Sequence, residues 1–235
     1  MCIRDRDVTV SIGTSGSATE GTDYGTISDI TISSGDTTGT ASFTPTDDNL
    51  YETSTDETAT VSITGVSGGS ATESGSQSVT LTIEENESPP TVTLSTSATS
   101  IDENSGSVLT LTATLSVATT ADVTVTIGTS GTATEGTDYT DGSGNIDDLV
   151  ITAGNTTETI SFKPTDDSVY EGDETATISI DSVSGGEASE NGTQAVTITI
   201  SENESAPTVT LSVSASSIAE NAGSTLTITA TSSIV

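Results

Sequence analysis

The sequence predicts an all-β protein built from tandem antiparallel β-sandwiches, with about seven strands in each unit. The first observation is a repeat, because residues 7–24 return almost letter for letter at residues 122–139. The second is alternation, in which apolar side chains such as Val123 and Val125 are separated by Thr. Alternation with a period of two marks strands that have one buried face. The third is that no window shows a helical period.

The repeat has a period of about 117 residues. Solenoid repeats are much shorter, about 20–50 residues, so each copy is predicted to be a domain. An insertion around residues 141–144 and a deletion near Gly172 shift the register between the copies. Further matching stretches are 43–63 with 162–180, 79–95 with 196–212, and 101–114 with 218–231.

Three units follow from this register. We predict a partial first repeat over residues 7–88, a complete second repeat over 89–206, and a partial third repeat over 207–235. We therefore expect the chain to be a part of a longer array. Residues 1–6 match nothing in the later units, and they hold Cys2 and two of the three basic residues. We interpret them as non-native and leave them out of the fold prediction.

Seven strands are predicted in the complete unit, and clusters of Gly, Asn, Asp and Ser separate them as turns. Seven short strands in about 110 residues favour a two-sheet sandwich. In chain order the strands are 92–97, 107–115 (with Leu109, Leu111, Ala113 and Leu115 on one face), 122–128 (Val123, Val125, Ile127), 147–152, 158–164 (with Phe162 in the core), 174–181 (Ala176, Ile178, Ile180) and 193–201 (Val196, Ile198, Ile200).

The charge of the chain excludes several kinds of partner. The net charge is −32, with 35 acidic residues against 3 basic ones. Three basic residues cannot neutralise a phosphate backbone, and an acidic chain is repelled by an anionic membrane surface, so we expect no nucleic acid partner and no docking on such a membrane. The sequence has no transmembrane run, so we expect no direct membrane insertion of this segment. Apart from Cys2 there is no cysteine, and there is no histidine. Disulfides and sites for zinc, copper or iron are therefore not expected.

Acidic residues gather at strand ends rather than within the alternating segments. In the second repeat they lie at 102–103, 135–138, 166–174 and 202–204. Loops that follow alternate strands of a Greek-key sandwich lie at the same end, so these groups are predicted to meet at one pole. Close carboxylates repel by about 1 kcal/mol per pair even in water, and Ca²⁺, which takes 6–8 oxygen ligands, removes that repulsion. The alternative is that Asp, Asn, Glu and Gly are simply ordinary turn residues in an acidic chain.

These acidic groups belong to a longer pattern. The run ITAGNTTETISFKPTDDSVYEGDETATISI (residues 151–180), preceded by GTATEGTDY and followed by ITISENES, resembles the Calx-beta domain. The resemblance covers the chain from residue 7 onward. It implies an Ig-like sandwich that binds Ca²⁺ at the pole facing the next domain. The ligands that it implies are Glu103, Asp138, Asp166, Asp167, Glu171, Glu202 and Glu204 in the second repeat, Asp23, Asp47, Asp48, Glu52, Glu85 and Glu87 in the first, and Glu220 in the third.

Two details modify this expectation. The units end in ENES, whereas strong calcium binders of the family often end in consecutive aspartates, so we expect a weaker site or fewer ions. Asp173 and Glu174 begin a strand, and we interpret them as solvated. The short junctions ENESPP and ENESAP contain proline, which restricts the backbone and gives stiffness.

The sequence thus predicts a calcium-binding repeat segment of a large secreted or cell-surface protein, with Ca²⁺ between domains stiffening an array for adhesion or display. Its partners would be neighbouring repeats of the same chain and an adhesion target. The alternative is a structural spacer that binds no specific ion. An enzyme is not expected, because His and Trp are absent and aromatic residues make up only 3% of the chain.

Overall fold

The structure, a computed structural model, describes residues 6–52, 54–221 and 223–233. In these ranges all regular structure is β. The strands are β1 (Val8–Gly16), β2 (Ile30–Ile32), β3 (Leu50–Tyr51), β4 (Glu57–Ser67), β5 (Ser78–Ile83), β6 (Thr91–Thr96), β7 (Ser100–Asp102), β8 (Leu109–Leu115), β9 (Ala118–Thr119), β10 (Val123–Gly131), β11 (Tyr139–Thr140), β12 (Leu149–Ile151), β13 (Thr157–Pro164), β14 (Glu174–Ser184), β15 (Ser189–Glu190), β16 (Ala195–Ser201), β17 (Val209–Val213) and β18 (Ile228–Ser232).

The second repeat forms a sandwich of two five-stranded sheets. One sheet has the order β12-β10-β14-β16-β7, and the other has the order β11-β13-β8-β6-β15. Neighbouring strands are antiparallel except at two edges, where β7 pairs parallel with β16 and β15 pairs parallel with β6. The fold class is therefore the predicted one: an all-β, two-sheet sandwich of the Ig-like kind.

The core lies between the two sheets and follows the predicted alternation. In β8 the residues Leu111 and Ala113 are fully buried, while Thr110 between the apolar positions is exposed. Phe162 stacks on Tyr139, with ring centroids 4.7 Å apart. The first repeat repeats this pair as Tyr24 on Phe43, at 4.8 Å. Aromatic pairs at such distances add to the free energy gained from burial alone.

All seven predicted strands of the second repeat are present. Their bounds differ from the prediction by at most three residues at either end, as in β10, which runs on to Gly131. Four short strands were not predicted: β7, β9, β11 and β15. Each has only two or three residues, too few for an alternating pattern to be recognised.

The first repeat forms one four-stranded sheet with the order β2-β1-β4-β5. These strands correspond to β12, β10, β14 and β16 of the second repeat, and β1 and β4 share with β10 and β14 a register shift at the same place. Residues 38–44, which match β13, are not a strand. Their pairing partner would match β8, and the chain has no such segment ahead of β1.

The third repeat is represented by the hairpin of β17 and β18, which match β6 and β8. Its apolar side chains are exposed, with Leu211 at 73% and Ile228 at 67% of their full accessibility. The matching residues of the second repeat are buried by the opposite sheet. The prediction for residues 1–6 falls almost wholly outside the described residues, since only Arg6 is described, and it is exposed. Within the described ranges no helix is long and apolar enough to cross a membrane.

Candidate metal centre

A glycine at the end of β10 brings the first acidic loop to the start of β14. Gly131 has φ +129°, and a Cβ there would lie 2.0 Å from the carbonyl oxygen of Thr175, so only glycine fits. The close approach lets the N–H of Ala133 donate to that same carbonyl at 3.0 Å. The loop then turns back, because Asp138 accepts a hydrogen bond from the Thr134 N–H at 2.6 Å. Asp138 is thereby fixed close to Glu174.

Three carboxylates converge at this place in the second repeat. Asp138, Glu171 and Glu174 each offer one carboxylate oxygen, and these oxygens lie within 4.8 Å of one another. Asp138 comes from the loop before β11, Glu171 from the loop after β13, and Glu174 from the first position of β14. They line a small cavity together with Glu103 and Glu202, and none of its lining residues is basic.

The first repeat builds the same group from its matching residues. Asp23, Glu52 and Glu57 bring one carboxylate oxygen each within 4.8 Å of the others. The cavity that they line encloses about 40 Å³, against about 10 Å³ in the second repeat. A volume of about 10–15 Å³ suffices for one water, so the first cavity has room for an ion. The two copies show that the arrangement belongs to the repeat and not to one loop.

Glu174 and Glu57 were not among the predicted ligands, and the expectation that Glu174 is solvated is wrong. Glu174 is half-buried, because it occupies the same inward-facing phase of β14 as Ala176 and Ile178. Burial, followed by the charge of Asp138, raises the pKa of Glu174 to about 7. The period of two, extended back from Ala176, would have found this residue. Asp173, one position earlier, is exposed, and its carboxylate accepts the Glu202 N–H at 3.0 Å.

Glu202 ties the last acidic turn to the loop after β13. One of its carboxylate oxygens accepts the N–H groups of Glu171 at 2.6 Å and Gly172 at 2.9 Å. The other accepts those of Asn203 and Glu204, both at 2.9 Å. Four donors occupy about all the lone-pair directions of a carboxylate. These backbone N–H bonds, that of Glu204 first, lower the pKa of Glu202 to about 2, so this side chain is an ionised clamp.

A second group in this repeat contains Glu103, Glu202 and Glu204, again with oxygens within 4.8 Å. Burial is the main cause that raises the pKa of Glu103. Its carboxylate accepts the Asp167 N–H at 3.2 Å. In Glu204, Oε2 is buried and has no hydrogen-bond partner among the described residues, and the same holds for Oε2 of Glu57 in the first repeat. Buried oxygens of this kind are rare in folded proteins because each one costs free energy.

The remaining predicted ligands of the first and second repeats lie outside these three-carboxylate groups. Asp167 and Asp48 occupy matching positions, and each accepts a backbone N–H two residues on, at 2.6 Å and 2.8 Å. Both therefore shape their own loops. Asp47 accepts the side-chain amide of Asn86 at 3.2 Å. Asp166 lies with Glu103 on a shallow surface depression.

The turn after β5 has the same construction as the one after β16. Glu85 accepts the Glu52 N–H at 2.9 Å, and its other oxygen accepts the N–H groups of Asn86 and Glu87. The hydrogen bond with Glu85 raises the pKa of Glu87. Glu85 is thus the counterpart of the Glu202 clamp.

In the third repeat, Glu220 is exposed and lies in a turn. The residues that would match Asp138 and Glu171 in that repeat are not in the chain. Glu220 therefore belongs to none of the carboxylate groups found among the described residues.

The donor set fits a hard cation. Every polar side chain that lines the cavities is a carboxylate, an amide or a hydroxyl, which are oxygen ligands of the types that Ca²⁺ prefers. Among the described residues, two buried carboxylate oxygens have no hydrogen-bond donor. The pKa values of Glu171, Glu52 and Glu57 are all raised, in Glu171 mainly by the charge of Asp138 and in the other two mainly by burial. Raised pKa values are what close carboxylates show when no positive charge balances them.

Comparisons with known proteins identify one family model and several similar solved structures. The model of the Calx-beta domain matches residues 3–87 and again residues 85–204. Similar solved structures include the apo form of the Calx CBD1 domain, with 20% identity, 49% of this chain and 99% of that chain covered, and a TM-score of 0.39. They also include CBD12 from CALX1.2, with 17% identity, 84% and 88% coverage, and a TM-score of 0.39.

A third similar structure is that of domains 1–6 of the surface layer protein SbsC, with 15% identity, 99% of this chain and 30% of that chain covered, and a TM-score of 0.29. No curated protein was found to match the chain. The family model covers most of the sequence through two successive matches. The chain therefore belongs to the Calx-beta domain family.

Proposed function

We propose that this chain is a calcium-binding segment of a Calx-beta array in a large secreted or cell-surface protein. In this proposal Ca²⁺ binds at the acidic pole of each repeat and stiffens the array, which serves adhesion or display. The observation that carries the calcium claim is the carboxylate group that both repeats build from matching residues, Asp138 with Glu171 and Glu174 in the second repeat.

The physical argument is electrostatic. Three carboxylate oxygens within 4.8 Å of one another repel, and no basic residue lines either cavity. A divalent cation removes that repulsion and supplies a partner for the unpaired buried oxygens of Glu57 and Glu204. In the second repeat the ion would be held by Asp138, Glu171 and Glu174, with Glu103 and Glu204 beside it, while Glu202 keeps the loops in place.

The position of the acidic pole supports the stiffening role. The Glu202–Glu204 turn is also the start of the junction, because β16 ends at Ser201 and β17 begins at Val209. Pro207 lies in this short junction and fixes one backbone dihedral. An ion that holds Glu204 would therefore also hold the first residues of the junction.

Calorimetric titration with Ca²⁺ tests the site directly. The wild-type protein is expected to bind Ca²⁺, and Glu57→Gln combined with Glu174→Gln is expected to weaken that binding at least tenfold, because each substitution removes a charged ligand. Asp181→Asn is the matched control, since this exposed residue lies on β14 about 20 Å from Glu174. Equal binding by the double variant and the control would contradict the proposal.

The second candidate is a spacer that needs no ion. One observation favours it: the first and second repeats contact each other through β3 and β9 and through the side chains of Tyr51 and Glu187. Of the acids in the candidate site, Glu52 joins these contacts, and only through its backbone carbonyl. A spacer of this kind would keep its inter-repeat geometry in EDTA. Both functions are non-catalytic.

A further inference from the structure

The first repeat docks on the second through residues 50–52. β3 pairs in parallel with β9, so that Leu50 lies opposite Ala118 and Tyr51 opposite Thr119. Thr120 adds two hydrogen bonds, from its N–H to the Tyr51 carbonyl at 3.2 Å and from its hydroxyl to the Glu52 carbonyl at 3.1 Å. Tyr51 is only 1% exposed. The second repeat thus provides both the backbone partner and the cover for this side chain.

Glu187 receives the hydrogen-bond donors of the first repeat. The Tyr51 hydroxyl donates to Oε2 of Glu187 at 2.5 Å. The Ser54 N–H donates to the same oxygen at 3.2 Å, and the Ser54 hydroxyl donates to Oε1 at 3.0 Å. Hydrogen bonds to an ionised carboxylate are stronger than those between neutral groups. Three of them from one neighbour fix the carboxylate on both oxygens.

The backbone around Glu187 is built to present this carboxylate. Gly185 and Gly186 precede it with φ +91° and +53°, and Glu187 itself has φ +52°, which is uncommon for a residue with a side chain. A Cβ on Gly186 would lie 2.7 Å from the hydroxyl of Thr119, the residue that pairs with Tyr51. The turn therefore packs directly behind the strand on which the first repeat docks.

The two sides of this contact are the places where the repeats differ. In the first repeat Glu52 is followed by Thr53 and Ser54, and the second repeat lacks counterparts of these two residues after Glu171. The counterpart of Glu187 in the first repeat is Ser70, which has nearly the same backbone, with φ +58°. Ser54 and Glu187 are thus departures from the common pattern, and they meet each other across the joint.

We propose that Tyr51, Ser54 and Glu187 form a pair-specific latch between two successive repeats. The latch needs Ser at the inserted position in the preceding repeat, and Glu directly after the Gly-Gly turn in the repeat that follows. The latch fixes the angle between the first and second repeats and distinguishes this joint from others in the same array. The second repeat has the tyrosine but not the serine, because Tyr170 and Glu171 are followed directly by Gly172 and Asp173. It therefore lacks one of the three residues of the latch.

Reciprocal substitutions between Glu187 and Ser70 test the latch in the 235-residue chain. Glu187→Ser gives the second repeat the residue that the first repeat carries on the same backbone, and Ser70→Glu is the matched control at a turn that receives no preceding repeat. Tyr51→Phe removes only the hydroxyl and keeps the buried ring, and Tyr170→Phe is its control. Thermal unfolding checks that each variant is folded.

The inter-repeat geometry is measured as the distance distribution between two nitroxide labels on cysteines placed at the exposed positions Ser74 and Thr156, in a Cys2→Ser background. We expect one narrow distribution for the wild type and for both controls, and a distribution at least twofold broader for Glu187→Ser and Tyr51→Phe. Unchanged widths in these two variants would overturn the latch.

Nitration by tetranitromethane gives a second readout. Tyr170 is expected to react first in the wild type, and Tyr51 is expected to react at least fivefold faster in Glu187→Ser, since the joint opens. An unchanged rate at Tyr51 would contradict the proposal. Both measurements are made in EDTA and in Ca²⁺, because the latch contains none of the acids in the carboxylate groups. Broader distance distributions of Glu187→Ser and Tyr51→Phe than of the wild type in EDTA therefore support the latch, whether or not Ca²⁺ binds.

Discussion

The N–H of Glu171 donates to a carboxylate oxygen of Glu202 at 2.6 Å, which joins the loop after β13 to the turn that leaves β16. The two residues come from different parts of the chain, and the bond places Glu171 beside Asp138 and Glu174. The first repeat makes the same bond from Glu52 to Glu85 at 2.9 Å. The acidic pole is therefore ordered by its own backbone, before any ion is considered.

Glu202→Gln should destabilise the second repeat, because the amide has one acceptor oxygen instead of two and no charge. The backbone N–H bonds hold the pKa of Glu202 at about 2, below its ordinary value, so its ionised form stabilises the fold above its unfolded pKa. That contribution is lost as the pH falls from about 4.5 towards 2. Thermal unfolding at pH 7 and at pH 3 is expected to show a loss of several degrees at pH 7 and a clearly smaller loss at pH 3; an equal loss at both values would contradict this role.

The contribution of Glu174 to the stability of the fold should depend on pH in the opposite direction. Burial and the charge of Asp138 raise its pKa to about 7, so the folded chain holds a proton that the unfolded chain releases near pH 4.5. Its stabilising effect is complete below pH 4.5 and disappears as the pH rises through about 7. In EDTA we expect the melting temperature of Glu174→Gln to fall less between pH 5 and pH 8 than that of the wild type. Asp181→Asn should behave like the wild type.

Calcium binding should release protons at pH 7. A cation needs ionised ligands, and the raised pKa of Glu174 means that this carboxyl is about half protonated at that pH. Titration calorimetry in two buffers of different ionisation enthalpy measures the number released. We expect a heat that depends on the buffer at pH 7 and much less so at pH 8.5, with a tighter apparent affinity at the higher pH. Heats that are independent of the buffer at both values would show that the site is already ionised.

Phe162 supports the site from below. It is fully buried and stacks on Tyr139, which directly follows Asp138 in the chain. Phe162→Ala is expected to cost about 3–5 kcal/mol, since it leaves a cavity in the core. Phe162→Leu should cost less and still weaken calcium binding, because Tyr139 loses its aromatic partner. Val150→Ala, at a 41% exposed position, is the control for urea unfolding. A Phe162→Leu protein that unfolds at the same urea concentration as this control would contradict the role of the Phe162–Tyr139 pair in stabilising the repeat.

Much of the fold could be predicted from the sequence, because the alternation at Val123, Val125 and Ile127 is a direct consequence of one buried sheet face. The convergence of the acidic loops followed from the same strand order. Glu174 was missed because a carboxylate at the first position of a strand was taken as solvated. Its inward phase with Ala176 was visible in the sequence, whereas its proximity to Asp138 and Glu171 arises only in the folded repeat.

The joint between the repeats could not be predicted. β3 and β9 have two residues each, and they are strands only because they pair with each other across the two repeats. Tyr51 is buried because it pairs with Thr119 and donates to Glu187, which both belong to the second repeat. Glu187 lies 136 residues away in the chain, so the motif around Tyr51 does not reveal this partner.

The most direct test of the central claim, that the acidic poles of the repeats bind Ca²⁺, is thermal unfolding of the wild-type chain in EDTA and in millimolar Ca²⁺. A ligand present at 100 times its Kd stabilises the folded state by about 2.7 kcal/mol. We predict a melting temperature several degrees higher in Ca²⁺, and no such rise for Glu57→Gln combined with Glu174→Gln. Identical wild-type melts in the two solutions would contradict the claim.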